Sequence, residues 1–157
     1  MENLDVTHST FVIERHYPTS SERVFQAFSD PAKKRRWMGE GAGRDMVSHE
    51  LDFQVGGREH RQSRMGDNTP FPGVILTNQT TYLDIIPQQR IVFAYTMALG
   101  DHRMSAGLAT VEFRASAGGT DVIFTEQGAY FEGSDGPERR EHGWRKLLEN
   151  IDSVLAE

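Results

Sequence analysis

The chain contains no cysteine, which removes disulfides, thiolate metal ligands and thiol nucleophiles from consideration. No apolar run approaches the roughly 18–20 residues that a membrane-spanning helix needs, so membrane insertion is not expected. The first residues, Met1-Glu-Asn-Leu-Asp5, lack the basic and apolar regions of a signal peptide, which makes the cytoplasm the expected compartment. Positive charge is also short: 17 Lys and Arg stand against 23 Asp and Glu, for a net charge of −6. Nucleic-acid binders present a basic face, because much of their affinity comes from neutralising phosphates. The densest basic run, Lys33-Lys34-Arg35-Arg36, reads as the solvated face of a short helix. Nucleic acid is therefore not an expected partner.

Catalytic signatures are missing as well. The six histidines, His8, His16, His49, His60, His102 and His142, show no metal-ligand spacing, and neither a metal nor a cofactor is expected. No Gly-x-Ser-x-Gly elbow occurs. Gly39-Glu-Gly-Ala-Gly43 follows a helix signal rather than a strand and has no Lys-Ser or Lys-Thr after it. It reads as a flexible loop, not a phosphate cradle. His49-Glu50 and Glu59-His60 can meet across a hairpin, where a pair could titrate near neutrality, or they can face solvent. No catalytic residue is assigned.

What is present is a series of strands closed by one long helix. Residues Thr10 to Tyr17 alternate in polarity, as a strand should, and Pro18 ends the run. Thr19 and Glu22 have capping-box spacing for a short helix, and Asp30-Pro31 starts a second that ends near Trp37-Met38. Further strands are expected over Met46–Phe53, Arg58–Met65, Val74–Ile86, Arg90–Met97, Arg103–Ala115 and Thr120–Gln127, with Gly-rich turns between most of them. Short connections make sequence neighbours antiparallel neighbours in space. From Asp135 to Leu155 the pattern changes: Trp144, Leu147, Leu148, Ile151 and Leu155 fall on one stripe of a helix. Asp135 and Glu138 have capping-box spacing there, and Pro137 lies in the first turn. The expected architecture is α+β: a seven-stranded curved antiparallel sheet wrapped around a long C-terminal helix, with two short helices between strands 1 and 2. At 157 residues, 1–157 is expected to be one domain.

The order of these elements carries a resemblance. Val24-Phe25-x-Ala27-Phe28-x-Asp30-Pro31, Trp37, Glu50-x-Asp52-Phe53-x-x-Gly56-Gly57, Pro87-x-x-Arg90-Ile91-Val92-Phe93, Thr110-Val111-Glu112-Phe113, Gly119-Thr120 and Gly143-Trp144-x-x-Leu147-Leu148 together resemble the activator of heat-shock-protein-90 ATPase homologue family. That family belongs to the START-like (SRPBCC) superfamily, whose helix-grip fold is the one expected above. The resemblance implies three roles. The first is a binding protein that holds a small apolar or amphipathic ligand between sheet and helix, as lipid carriers and plant hormone receptors do. The second is a protein-interaction domain with a chaperone as partner. The third is an enzyme similar to polyketide cyclases and aromatases. Fold alone does not choose among them.

On the first reading the cavity wall is expected to comprise Phe28, Trp37, Leu51, Phe53, Phe71, Phe93, Tyr95, Phe124, Glu126, Trp144, Leu148 and Ile151. Trp37 and Trp144 could line a cavity mouth, or each could be a core indole whose N–H needs a partner. Glu126 shares strand parity with Val122 and Phe124, and Tyr95 with Ile91 and Phe93, so inward-facing polar groups there require hydrogen bonds. His60 shares a polar face with Arg58, Gln62 and Arg64. Arg140 and Glu141 flank the helix stripe as a polar rim or as solvent-exposed residues. Gly56-Gly57 is expected to turn with positive φ, and Gly143 to let the helix approach the sheet closely. A free edge strand offers a route to a homodimer.

Overall fold

A computed structural model describes residues 4–39 and 44–157, and the glycine-rich stretch expected as a loop lies largely outside them. The elements are β1 (Thr7–Tyr17), α1 (Ser21–Ser29), α2 (Pro31–Gly39), β2 (Arg44–Leu51), β3 (Arg58–Met65), β4 (Ile75–Ile86), β5 (Arg90–Leu99), β6 (His102–Ser116), β7 (Gly119–Tyr130) and α3 (Pro137–Leu155). The strands form one antiparallel sheet in the order β1-β7-β6-β5-β4-β3-β2. Register shifts in β2 (Met46/Ser48), β4 (Tyr82/Asp84) and between β5 and β6 (Met97/Ala98) are irregularities of the kind that bend a sheet. The curved sheet grips α3, which is the helix-grip α+β fold. Among the described residues no helix is long and apolar enough to cross a membrane.

The sheet's concave face changes character across its width. On β1, β7, β6 and β5 it is apolar, with Ile13, Val122, Phe124, Val111, Phe113, Ile91 and Phe93 buried. On β4 and β3 polar residues enter it, with Asn78, Thr80, Glu59, Arg61 and Ser63 buried beside Leu76 and Tyr82. α3 lays Trp144, Leu148, Ile151 and Val154 against the apolar half. Tyr17 fastens it by donating to the Leu148 carbonyl at 2.6 Å, and Asn150 donates to the Trp37 carbonyl at 3.3 Å.

Several local expectations are corrected. The N-cap of α1 is Ser20, whose hydroxyl accepts from the Arg23 N–H, and not Thr19. The N-cap of α3 is Gly136 with no side-chain cap, because the Asp135 carboxylate is taken by Arg140. Asp30 does cap α2, accepting from the Ala32 and Lys33 N–H groups. In the β2–β3 turn only Gly56 has positive φ (82°). Gly57 is needed for space, since a Cβ there would lie 2.1 Å from the Asp52 carbonyl oxygen. Gly143 plays no close-packing role: a Cβ there would meet open space.

Candidate functional site

The polar half of the concave face and the N-terminal half of α3 do not fully meet, and a cavity of about 160 Å³ lies between them. Its floor is Arg61 of β3, Leu76 and Asn78 of β4, and Tyr95 and Met97 of β5. Its roof is Asp135, Arg139, Arg140, Gly143, Trp144 and Leu147, with Arg44 at the side. Exposed Arg139 and Gly143 mark the mouth. A second space of about 20 Å³ continues inward past Arg61, Asn78, Tyr95 and Trp144 to Lys34 and Glu59.

Two buried polar networks brace the cavity. The first centres on Glu126, which is 1 % exposed. Its two carboxylate oxygens accept from the Tyr95 hydroxyl and, at 2.5 Å, from the Tyr130 hydroxyl. The Tyr95 oxygen accepts in turn from Arg140 Nη1 at 3.0 Å and Trp144 Nε1 at 3.2 Å. That hydroxyl therefore donates once and accepts twice, its full capacity. Arg140 completes its pairing with Ser105 Oγ and, through Nε and Nη2, with Asp135. Burial and the neighbouring Glu126 charge push the Tyr95 phenol well above its usual range, against the lowering effect of Arg140. It stays protonated at neutral pH.

The second network centres on Glu59. Oε1 accepts from Lys34 Nζ at 2.5 Å and the Tyr82 hydroxyl at 2.7 Å, while His49 Nε2 meets Oε2 at 2.7 Å. Burial pushes the Glu59 carboxyl up, but the Lys34 charge and the three hydrogen bonds outweigh it and hold it well below the usual carboxylate range. Burial pulls the Lys34 amine down, opposed by the same Glu59.

Arg61 lies between these networks and belongs fully to neither. It is 6 % exposed. Its Nη2 donates to Asn78 Oδ1 at 3.0 Å, while Nε and Nη1 are buried and have no partner among the described residues. Burial pulls the guanidinium down to about 10, with Glu59 resisting, so it remains cationic at neutral pH.

Of the expected wall residues, Tyr95 and Trp144 line the cavity and Phe93 lines the small space behind it. Glu126 stands behind Tyr95. Phe28, Trp37, Phe124, Leu148 and Ile151 are core, and Leu51 and Phe53 pack at its margin. The Trp37 indole N–H is satisfied by the Ala27 carbonyl at 2.7 Å. Phe71 is 51 % exposed in the β3–β4 connection and outside the core cluster, which removes it from the wall. His60 faces away from Tyr95 and Glu126, because Glu59, Arg61 and Ser63 take the buried parity of β3. Arg140 is neither rim nor surface but a buried hub. The hairpin pair forms between His49 and Glu59, and Glu50 and His60 are left on the other face.

Sequence reasoning missed Lys34, Arg61 and Asn78. One signal was available: β3 alternates between two sets that are both polar, whereas β5, β6 and β7 each carry an apolar set. A strand polar on both faces inside such a sheet marks a face that meets something other than core. Among the described residues no group of three or more His, Cys, Asp or Glu could hold a metal.

The family described as Activator of Hsp90 ATPase homolog 1-like protein matches residues 18–156. A solved protein from Rhizobium leguminosarum is 36% identical with a TM-score of 0.90, covering 99% of both chains. One from Rhizobium loti is 45% identical with a TM-score of 0.84, covering 96% of this chain and 99% of its own. One from Chromobacterium violaceum, at 22% identity and a TM-score of 0.77, covers 94% of this chain and 97% of its own and shares the fold. No curated protein matches the chain.

Proposed function

We propose that this chain, which belongs to the family of Activator of Hsp90 ATPase homolog 1-like proteins, binds one small amphipathic molecule in the cleft between its sheet and α3. The observation that carries the reading is the cavity itself, at the position where the sheet turns polar under the helix. Ligand sites combine apolar walls with a few convergent polar groups. Leu76, Met97, Trp144 and Leu147 supply the first here, and Arg61, Asn78 and the arginines of α3 the second.

The space excludes long lipids. At about 160 Å³ it admits on the order of ten water-sized groups, which is a short-chain or single-ring compound. The wholly apolar ligand among the expectations suits it poorly, since buried donors such as Arg61 Nε and Nη1 would remain without acceptors.

Docking of a chaperone or other protein on the outer surface draws less support. The large exposed apolar residues are scattered, with Val12 on the edge strand β1, Val47 on the opposite edge strand β2, Phe71 in the β3–β4 connection, and Leu83 of β4 near Val55. A docking patch needs contiguity. The cyclase-like reading needs an available acid or base, whereas Tyr95 and Glu126 are engaged with each other and with Arg140 and Tyr130.

Native mass spectrometry of freshly purified protein, set against its denatured mass, tests the proposal. A reproducible small adduct that leaves on denaturation, and that is lost in Trp144→Ala, is expected. A clean apo mass, together with no thermal shift across a library of small amphiphiles, would sink it.

A further inference from the structure

We propose that the cleft selects a small monocarboxylate, with Arg61 receiving the anionic head and Trp144, Leu147 and Met97 enclosing the apolar body. The inference rests on the ligand-binding reading above and narrows it to a chemical class.

Arg61 and Arg140 are the two buried arginines that line the cavity, and their partners separate their roles. Arg140 has all three nitrogens engaged and a carboxylate of its own in Asp135. Arg61 has a single neutral acceptor, Asn78, and two nitrogens without partners. Glu59, the acid whose charge acts on Arg61, makes no hydrogen bond to it and is already occupied by Lys34, His49 and Tyr82. A buried guanidinium without a counter-charge is costly, and a carboxylate arriving beside it supplies both the charge and the missing acceptors.

Charge around the mouth points the same way. Arg44 and Arg139 line the cavity with Arg61 and Arg140, and Asp135, the acid in that lining, is committed to Arg140. The chain as a whole carries −6, so this is a local reversal of sign of the kind that draws anions into a cleft. Size limits the ligand to roughly ten non-hydrogen atoms. The Arg61 donors lie among Asn78 and Tyr95 rather than in bulk water, which favours one desolvated head group over a highly charged phosphate ester.

The test compares matched pairs by titration calorimetry on the full chain: short aliphatic and phenyl-substituted carboxylates against their primary amides. Acids are expected to bind more tightly than the corresponding amides by about tenfold or more. Arg61→Met should abolish that preference while leaving the unliganded protein folded, and Arg61→Lys should retain part of it. Equal binding of acids and amides to the unaltered protein would overturn the carboxylate assignment and leave the ligand-binding reading intact. So would unchanged acid binding in a folded Arg61→Met protein. Failure of both series would show that water alone satisfies Arg61 and would overturn both readings.

Discussion

Two buried side chains that both line the cavity, Arg61 and Tyr95, make opposite predictions because their surroundings differ. Arg61 is held in a buried position with Nε and Nη1 unmet, so its charge opposes folding. Its folded-state pKa, drawn below the usual guanidinium value to about 10, says the same, since the unfolded chain binds that proton more tightly. Arg61→Met is therefore expected to raise the unfolding midpoint, by about 1–2 kcal/mol in stability, and thermal denaturation without ligand checks it. Tyr95→Phe should do the reverse. It removes one donor and two accepting positions at once, leaving Glu126, Arg140 and Trp144 each short of a partner. A loss of about 2–3 kcal/mol is expected by urea denaturation. Gly143→Ala is expected to stabilise α3 by about 0.5–1 kcal/mol, because its Cβ meets open space and the helix gains propensity. The added methyl would also narrow the cavity mouth, so the same variant should weaken ligand binding.

Among the elements, α2 and β3 are joined by an ion pair where most elements are joined by packing. Lys34 is the buried member of a basic run whose other residues are exposed or half-buried, and it reaches Glu59 at the polar end of the sheet. The folded carboxyl is held below its unfolded value, so its contribution is present above about pH 4.3 and is lost as pH falls toward the lower folded value. Stability measured by urea midpoint should therefore fall between about pH 4.5 and pH 2. Glu59→Gln should be less stable at neutral pH and should fall less steeply over that interval. A wild-type slope matched by the variant would mean that other carboxylates dominate acid unfolding. The remaining joints were more legible. The i, i+3, i+4 stripe of α3 and the alternation of β1, β5, β6 and β7 report apolar contacts, and those contacts form. Helix starts were less legible, because Thr19 and Ser20 are both cap types and the acid three positions on favours Thr19, and Asp135 is drawn away by an arginine five residues on.

At the scale of the molecule, one sheet serves two purposes. Its β1-β7-β6-β5 portion is a hydrophobic floor for α3, and its β4-β3 portion lines a cationic cleft. Ligand binding to the folded state alone stabilises by mass action, so a bound carboxylate at a hundred times its dissociation constant should add about 2.7 kcal/mol. A thermal-shift titration that depends on Arg61 would read this directly. The element order, the antiparallel sheet and the helix that closes it were determined by the sequence alone, because periodicity and turn chemistry are local properties of a chain. The aromatic residues were legible as buried, yet most proved to be core rather than wall, since burial does not say what lies on the other side. Which arginine would be paired, which partners would take up each buried carboxylate, and where helix and sheet would fail to touch were decided only by the tertiary structure. Those outcomes depend on side chains from β3, β4, β5 and α3 meeting across long stretches of sequence, and no local pattern encodes the distance between them.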